Sequence, residues 1–444
     1  MRRTDGRETV TAVTTQIPDV RDHRLSRDEI EANFADLHAP LSRSEALIEA
    51  DRCYFCFDAP CTQACPTDID IPGFIQKIRS DNIRGSAQTI LRENIMGGMC
   101  ARVCPTEVLC EEACVRNTHE EKPVEIGLLQ RYATDPIIEA GTQLFTRATS
   151  SNKRVAVVGG GPAGLSCAHR LTALGHEVVV FNRDDKLGGL NEYGIAAYKT
   201  VNDFAQTEVD YILAIGGIEV RNHCALGEDV SLEDLRSEYD AVFLGIGLSK
   251  ANDLNIEGED KEGVLNAIEY IAELRQTEDK TTLPIGKTVV VIGGGMTAID
   301  MAVQSRLLGA EQVHMVYRRG PEKMTASAFE QALAQTSGVT IHHRAPPSRI
   351  LGDEFVTGVE FKTDTGEFVL YADMVFKAIG QHTDGIEGLT LENGRIVVDD
   401  GQMTSLEGVW AGGDCVVGGD DLTVSAVQHG KLAAIDIDRR LRES

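Results

Sequence analysis

The chain has 444 residues, more than one ordinary hydrophobic core uses, and its 42% apolar and 25% charged residues exclude a disordered or collagen-like polymer. A formal net charge of −26 repels phosphate backbones, which sets nucleic acid aside as a partner while leaving room for a local basic pocket. The opening MRRTDGRETVTAVTTQIPDVRDHR has no apolar stretch of the signal-peptide kind, and nowhere do about 18 apolar residues run together, so a cytoplasmic protein without a membrane span is expected.

Residues 1 to 41 are polar and are expected to wrap the body or to stay mobile. From 42 to 129 the pattern turns helical: SRSEALIEADRC, PGFIQKIRSDN and GSAQTILREN carry apolar residues at helical spacing, with cysteines punctuating them. Eight of the eleven cysteines lie between Cys53 and Cys114, and such crowding in a reducing compartment points to metal rather than disulfides. The first group reads Cys53-x2-Cys56-x4-Cys61-x3-Cys65-Pro66, the second Cys100-x3-Cys104-Pro105-x4-Cys110-x3-Cys114. A spaced run closing on Cys-Pro is ferredoxin-like, and its last cysteine can serve a different cluster from its neighbours. Zinc would ask for compact sets built from Cys-x2-Cys pairs; only one such pair occurs and no histidine follows at ligand spacing, so iron–sulfur is the better reading. Eight thiolates suffice for two 4Fe-4S clusters, and on spacing alone Cys100 is the preferred ligand beside Cys104.

After the polar run 146–153, RVAVVGGGPAGLSCAHRLTALGHEVVVF reads as strand, glycine turn, helix, strand. Gly159 makes the tight turn, Gly161 lets the backbone approach a pyrophosphate, and Gly164 packs helix on strand, with Pro162 and Ala163 completing the loop. The second strand ends in Asn182, where an acid would bind the adenosine ribose; an amide still reaches a hydroxyl, without charge assistance. A second unit follows about 130 residues later, KTVVVIGGGMTAIDMAVQSRLLGAEQVHMVY, with Gly293, Gly294, Gly295, Met296, Thr297 and Ala298 as its loop. Its second strand runs into Arg318 and Arg319, whose guanidinium forks suit a 2′-phosphate and favour NADP over NAD. Short apolar strands recur at 241–247, 374–381 and 409–415 before a final helix from Ser425 to Arg442.

The expected fold is therefore α/β: an N-terminal helical iron–sulfur domain (1–150), then two Rossmann-like dinucleotide-binding domains, the second inserted in the first. The boundaries are 151–285 for the first part of the FAD domain, 286–378 for the NAD(P) domain and 379–444 for the FAD domain's second part. Val220, Gly247, Ala378, Ile379, Gly380 and Gly413 complete the candidate cofactor-binding set. FAD in the first site and NADP or NAD in the second would set a hydride donor against an isoalloxazine ring. That step needs alignment rather than a general base, so no catalytic acid or base is expected, and His169 and His429 read as structural or surface residues. Thiolate-held clusters move single electrons whereas nicotinamide delivers a pair, and a flavin between them is the converter.

With these features in order, the chain resembles the electron-input module shared by the NADPH-dependent glutamate synthase small subunit and the N-terminal half of dihydropyrimidine dehydrogenase. The resemblance runs from about Cys53 to the C-terminus and is carried by DAPCTQACP, MCARVCPTEVLC, IGLLQRYATD, KAIGQH and WAGGDCVVGG. Within that family it is closer to the stand-alone bacterial subunits of the PreT type. The resemblance implies crossed ligation: one cluster on Cys53, Cys56, Cys61 and Cys114, the other on Cys65, Cys104, Cys110 and Gln130, with Cys100 spare. It also implies flavin contacts at Gly188, Gly189, Leu190, Lys199 and Asp414, and a helix near Thr423 aimed at the ring. The chain departs from the pattern at Met296, at Ile195-Ala-Ala-Tyr198-Lys199, and at Thr325, where a further basic residue is usual. The implied function is oxidation of NAD(P)H at FAD and delivery of electrons to an FMN-containing, pyrimidine-reducing partner of the PreA type, in a hetero-oligomer. The alternatives are a glutamate synthase small subunit or other flavin-based electron-transfer subunit, and, outside enzymes, a zinc-stabilised nucleotide-sensing protein.

Overall fold

The structure, a computed structural model, describes residues 25–443 apart from 249, 365, 384 and 387. Of the polar N-terminal segment, residues 1–24 lie outside the described residues; the rest crosses the body. Its helix α1 (Arg27–Asn33) and the following α2 (Arg43–Asp51) each start from a capping box, Ser26 with Glu29 and Ser42 with Glu45. Beyond α1, the Leu37 N–H donates to the Tyr198 carbonyl at 2.9 Å and Asp36 pairs with Arg131 at 2.8 Å, so the segment straps distant parts together.

The cysteine region is built from α3 (Pro60–Gln63), α4 (Ile71–Arg79), α5 (Ile83–Glu93), α6 (Gly97–Val103), α7 (Asn117–Glu120) and α8 (Ile126–Glu139). Asp70 and Asn82 cap α4 and α5 through the N–H groups of Gly73 and Gly85. Ile71, Phe74, Ile75 and Ile78 lie on one face of α4 and meet Ile90, Leu129 and Ala133 in one buried cluster, which also takes in Cys65 and Cys110. Burying each such side chain is worth roughly 1.5–3 kcal/mol. Cys53, Cys61 and Cys114 pack against the same cluster, so a small core fixes thiols that lie far apart in sequence.

The chain then runs β1 (Arg154–Val158), α9 (Pro162–Ala173), β2 (Glu177–Phe181), α10 (Leu190–Tyr193), α11 (Phe204–Leu213), β3 (Ile218–Arg221), α12 (Leu232–Glu238) and β4 (Ala241–Leu244). It leaves through β5 (Lys250–Ala251) into a second unit: β6 (Val264–Asn266), α13 (Ala267–Gln276), β7 (Thr288–Gly293), α14 (Met296–Leu307), β8 (Gln312–Tyr317), α15 (Ala328–Thr336), β9 (Val339–His343), β10 (Pro347–Leu351), β11 (Gly358–Thr363), β12 (Gly366–Tyr371) and β13 (Met374–Ala378). It returns through β14 (Gln381–His382), which pairs antiparallel with β5. The chain then passes the hairpin β15 (Leu391–Glu392) and β16 (Arg395–Ile396) to β17 (Val409–Ala411) and α16 (Thr423–Glu443).

Two parallel five-stranded sheets result, ordered β17-β4-β1-β2-β3 and β6-β13-β7-β8-β9. Both follow the doubly wound plan, and their apolar strands, buried on both faces, explain why RVAVV, EVVVF and TVVVIG read as continuous rather than alternating runs. In such sheets the strand order reverses beside the first strand, which opens a crevice at the carboxyl ends: between β1 and β4 in one sheet, between β7 and β13 in the other. The antiparallel sheet β10-β11-β12 covers the second unit. Among the described residues no helix is long and apolar enough to cross a membrane.

Candidate functional site

Both crevices open into one cleft of about 2140 Å³, well above the roughly 300–1,000 Å³ of a single small-molecule pocket. Gly159, Gly161, Pro162 and Ala163 line one end with Gly189, Leu190 and Lys199; Gly247, Gly413, Asp414 and Thr423 lie across from them. Gly293, Gly294, Gly295, Met296 and Thr297 line the other end, with Arg318, Arg319, Ala378, Ile379 and Gly380. Gly164, Gly188, Val220 and Ala298 do not reach the wall. Gly164 lies behind it, where a Cβ would stand 1.9 Å from the Gly159 carbonyl, and Gly188 donates its N–H to the Gly160 carbonyl at 2.8 Å. Val220 lies on the edge strand β3, and Ala298 is buried one step inside α14.

The cradle fits a dinucleotide. Gly159 has φ 101°, and a Cβ there would meet the Gly245 carbonyl at 2.2 Å, so only glycine turns the chain this sharply beside β4. Gly161 and Gly295 start α9 and α14 without any side-chain cap, which leaves the first-turn N–H groups of both helices open toward the cleft for phosphate. Thr325 and Ala326 donate their N–H groups to the Gly294 carbonyl, each at 3.2 Å, so the departure at Thr325 folds back over the second loop rather than adding a cation.

Several of these side chains also bond within the protein. Asn182 is buried and its amide is spent on protein: Nδ2 donates to the carbonyls of Asp184 and Lys186, and Oδ1 accepts from Gly160 at 3.3 Å. It braces the glycine loop and lies in the wall of the cleft. Lys199 is held between Asp300 at 2.7 Å and Glu330 at 2.8 Å, with the Tyr198 hydroxyl donating to Asp300. Burial disfavours the Lys199 ammonium, but the two carboxylates outweigh it and hold its pKa above the usual lysine value. Asp414 is pushed up to about 6 by burial and by Asp421. His429 accepts the Gly413 N–H at 3.2 Å, so it steadies the loop that carries Asp414. The Thr423 hydroxyl, at the start of α16, donates to Asn191 Oδ1 at 2.7 Å, and Asn191 Nδ2 reaches the Met96 sulfur at 3.9 Å. Asp300, Glu330, Asn191 and Met96 were not among the expected residues; a buried lysine's need for a counter-charge was the one available signal, for Asp300 and Glu330.

The thiols fall into two groups. Cys53, Cys56, Cys61 and Cys114 line one small cavity with Tyr54, Arg116 and apolar neighbours. In the other, Cys100, then burial, then Cys110 and Cys65 hold the Cys104 thiol well above its ordinary value. Burial and then Cys53 hold the Cys61 thiol up at about 12, so a thiolate there needs a cation beside it. Gln130 is buried on α8 and its Nε2 donates to the Gly97 carbonyl at 2.7 Å; since a carbonyl accepts only from the amide nitrogen, its oxygen is turned away from Gly97. Val103 and Pro105, on either side of Cys104, belong to the wall of the dinucleotide cleft.

Residues 153–430 match the pyridine nucleotide-disulphide oxidoreductase family, and the chain belongs to it. Residues 30–142 match dihydropyrimidine dehydrogenase domain II with its 4Fe-4S cluster. The chain is thus an NAD(P)H-dependent oxidoreductase of the flavin and iron–sulfur electron-transfer type. It is similar to the NAD-dependent dihydropyrimidine dehydrogenase subunit PreT of Salmonella typhimurium, 33% identical over 90% of this chain and 95% of that one. It is also similar to the glutamate synthase [NADPH] small chain of Escherichia coli, 34% identical over 90% of this chain and 92% of that one. Thioredoxin reductase of T. acidophilum shares the fold, with a TM-score of 0.54 at 22% identity over 65% of this chain and 99% of the other.

Proposed function

We propose that this chain is the electron-input subunit of a pyrimidine-reducing enzyme. It would oxidise NADPH or NADH at FAD and pass electrons through two 4Fe-4S centres to a separate FMN-bearing subunit that reduces uracil or thymine. When bound, nicotinamide supplies a hydride, flavin accepts it and releases single electrons, and iron–sulfur centres carry these onward. The chain's own residues do the rest. The Gly159 loop and the start of α9 hold the FAD pyrophosphate, Asp414 takes a ribityl hydroxyl, and the Gly293 loop with Arg318 and Arg319 holds the nicotinamide dinucleotide. Cys53, Cys56, Cys61 and Cys114 hold the outer centre; Cys65, Cys104, Cys110 and Gln130 hold the inner one.

The observation that carries this reading is that residues flanking Cys104 form part of the cleft that both glycine loops line. A carrier on Cys104 would then adjoin the dinucleotide site without an intervening layer of protein. The hydrogen-bonded run from Thr423 through Asn191 to Met96 supports it, because the Cys100 N–H donates to the Met96 carbonyl at 2.9 Å. The partner's chemistry rests on similarity to the PreT subunits. Similarity to a glutamate synthase small chain at the same coverage favours a second reading, with a glutamine-using partner. Reconstitution separates them: NAD(P)H oxidation that depends on uracil and on an FMN subunit of the PreA type is the expected outcome, and failure with every pyrimidine-reducing partner rejects it.

A further inference from the structure

Glu208 stands on α11, fully buried at the seam between the flavin-side sheet and the cysteine helices. Its Oε1 accepts the main-chain N–H of Gly98 at 2.8 Å and of Met99 at 3.2 Å. Both lie in the first turn of α6, the helix that carries Cys100 and ends against Cys104. The sequence has made room for this contact: a Cβ on Gly98 would stand 2.6 Å from the Phe204 ring and 2.9 Å from Glu208 Oε1. One turn along α6, the Arg102 guanidinium lies 3.4 Å above the Phe204 ring and is bridged to Asp135. The helix is thus seated on α11 at two points. Among the described residues no cation bonds to Glu208. A glutamine would accept the same N–H groups, so what distinguishes a glutamate here is its capacity to ionise.

We propose that Glu208 is a positioning residue that seats α6 against the flavin-side sheet and, where its carboxyl is ionised, holds down the reduction potential of the iron–sulfur centre on Cys104. This rests on the reading of the cysteines given above. An electron reaching that centre adds negative charge at the far end of the seven-residue α6 from the Glu208 contacts, so an ionised carboxylate opposes its arrival and a neutral group does not. The electron comes from NAD(P)H by way of the flavin, and no bond is made or broken at Glu208.

The test is a redox titration of the cofactor-loaded full chain followed by electron paramagnetic resonance, with Glu208→Gln and Glu208→Asp beside the unaltered protein at about pH 9, above the value of about 8 to which burial raises Glu208. The expected result is a raised potential for one centre only in Glu208→Gln, and a smaller change in Glu208→Asp, which retains the charge. The unaltered protein supplies a second readout: as pH rises from about 7 to 9 the potential of that centre falls while the other holds. Arg102 on α6 and Asp135 on α8 are the charged groups acting on Glu208 across the seam. Iron–sulfur signals that Glu208→Gln leaves unmoved, or moves equally in both centres, overturn the proposal alone. An unaltered protein without such signals overturns the cluster reading and the proposal with it.

Discussion

Lys199 has 8% of its surface exposed between two carboxylates, so removing it leaves Asp300 and Glu330 facing each other without a counter-charge. Lys199→Met is expected to cost about 3–5 kcal/mol, the scale seen when one partner of a buried pair is taken away. Urea unfolding of the flavin-loaded protein checks this, and a loss below about 1 kcal/mol, the range of exposed pairs, would contradict it. Glu208 gives a pH dependence with a definite sign. Burial raises its pKa to about 8 from an ordinary carboxyl value of 4.5, so between these values the folded state holds a proton that the unfolded state has released. Its contribution to stability is therefore present below the lower value and lost as pH rises through the upper one. The Tm of the unaltered protein minus that of Glu208→Gln is expected to fall between about pH 5 and pH 9. At the proposed centre on Cys104, Cys100→Ser is expected to leave iron content and spectra intact while Gln130→Leu changes them; the reverse would make Cys100 the ligand. Residue roles were the least legible part of the sequence. Asn182 was read toward a ribose, and the loop bonds of its amide were not legible; for Lys199 the need of a counter-charge was legible, but not which carboxylates tertiary packing brings to it from more than 100 residues away.

Elements were more legible, because strand, glycine turn and helix are local patterns with steric causes. The β1–α9 and β7–α14 units carry their glycines at the turn where the chain must pass close to a neighbouring strand, and α16 begins at Thr423, two residues before the expected start. What local pattern did not disclose is which helix ends would share a space. Thr423 and Met96 are joined through Asn191 although more than 300 residues separate them in sequence. Arg318 and Arg319 follow β8 at the second cleft end, so replacing both by alanine is expected to raise KM for NADPH about tenfold or more and to change KM for NADH little. Steady-state kinetics with both nucleotides check it; equal effects on the two would remove the 2′-phosphate role.

At the scale of the whole molecule, a helical thiol-bearing layer is pressed onto a pair of doubly wound sheets, and the contact falls at the mouth of their shared cleft. The sequence announced the two glycine loops and the eight crowded cysteines. It did not announce that Val103, Pro105 and Val108 form a wall of the dinucleotide site, since that depends on how α6 docks, through Gly98, Glu208 and Arg102, on α11. The central claim is that electrons pass from a nicotinamide dinucleotide through flavin into iron held by these thiols. Mixing the anaerobically purified protein with NADPH or NADH and freezing it for electron paramagnetic resonance tests this most directly. Flavin bleaching accompanied by signals of reduced iron–sulfur centres is the expected result; bleaching with no iron signal, or a preparation free of iron, would contradict the account.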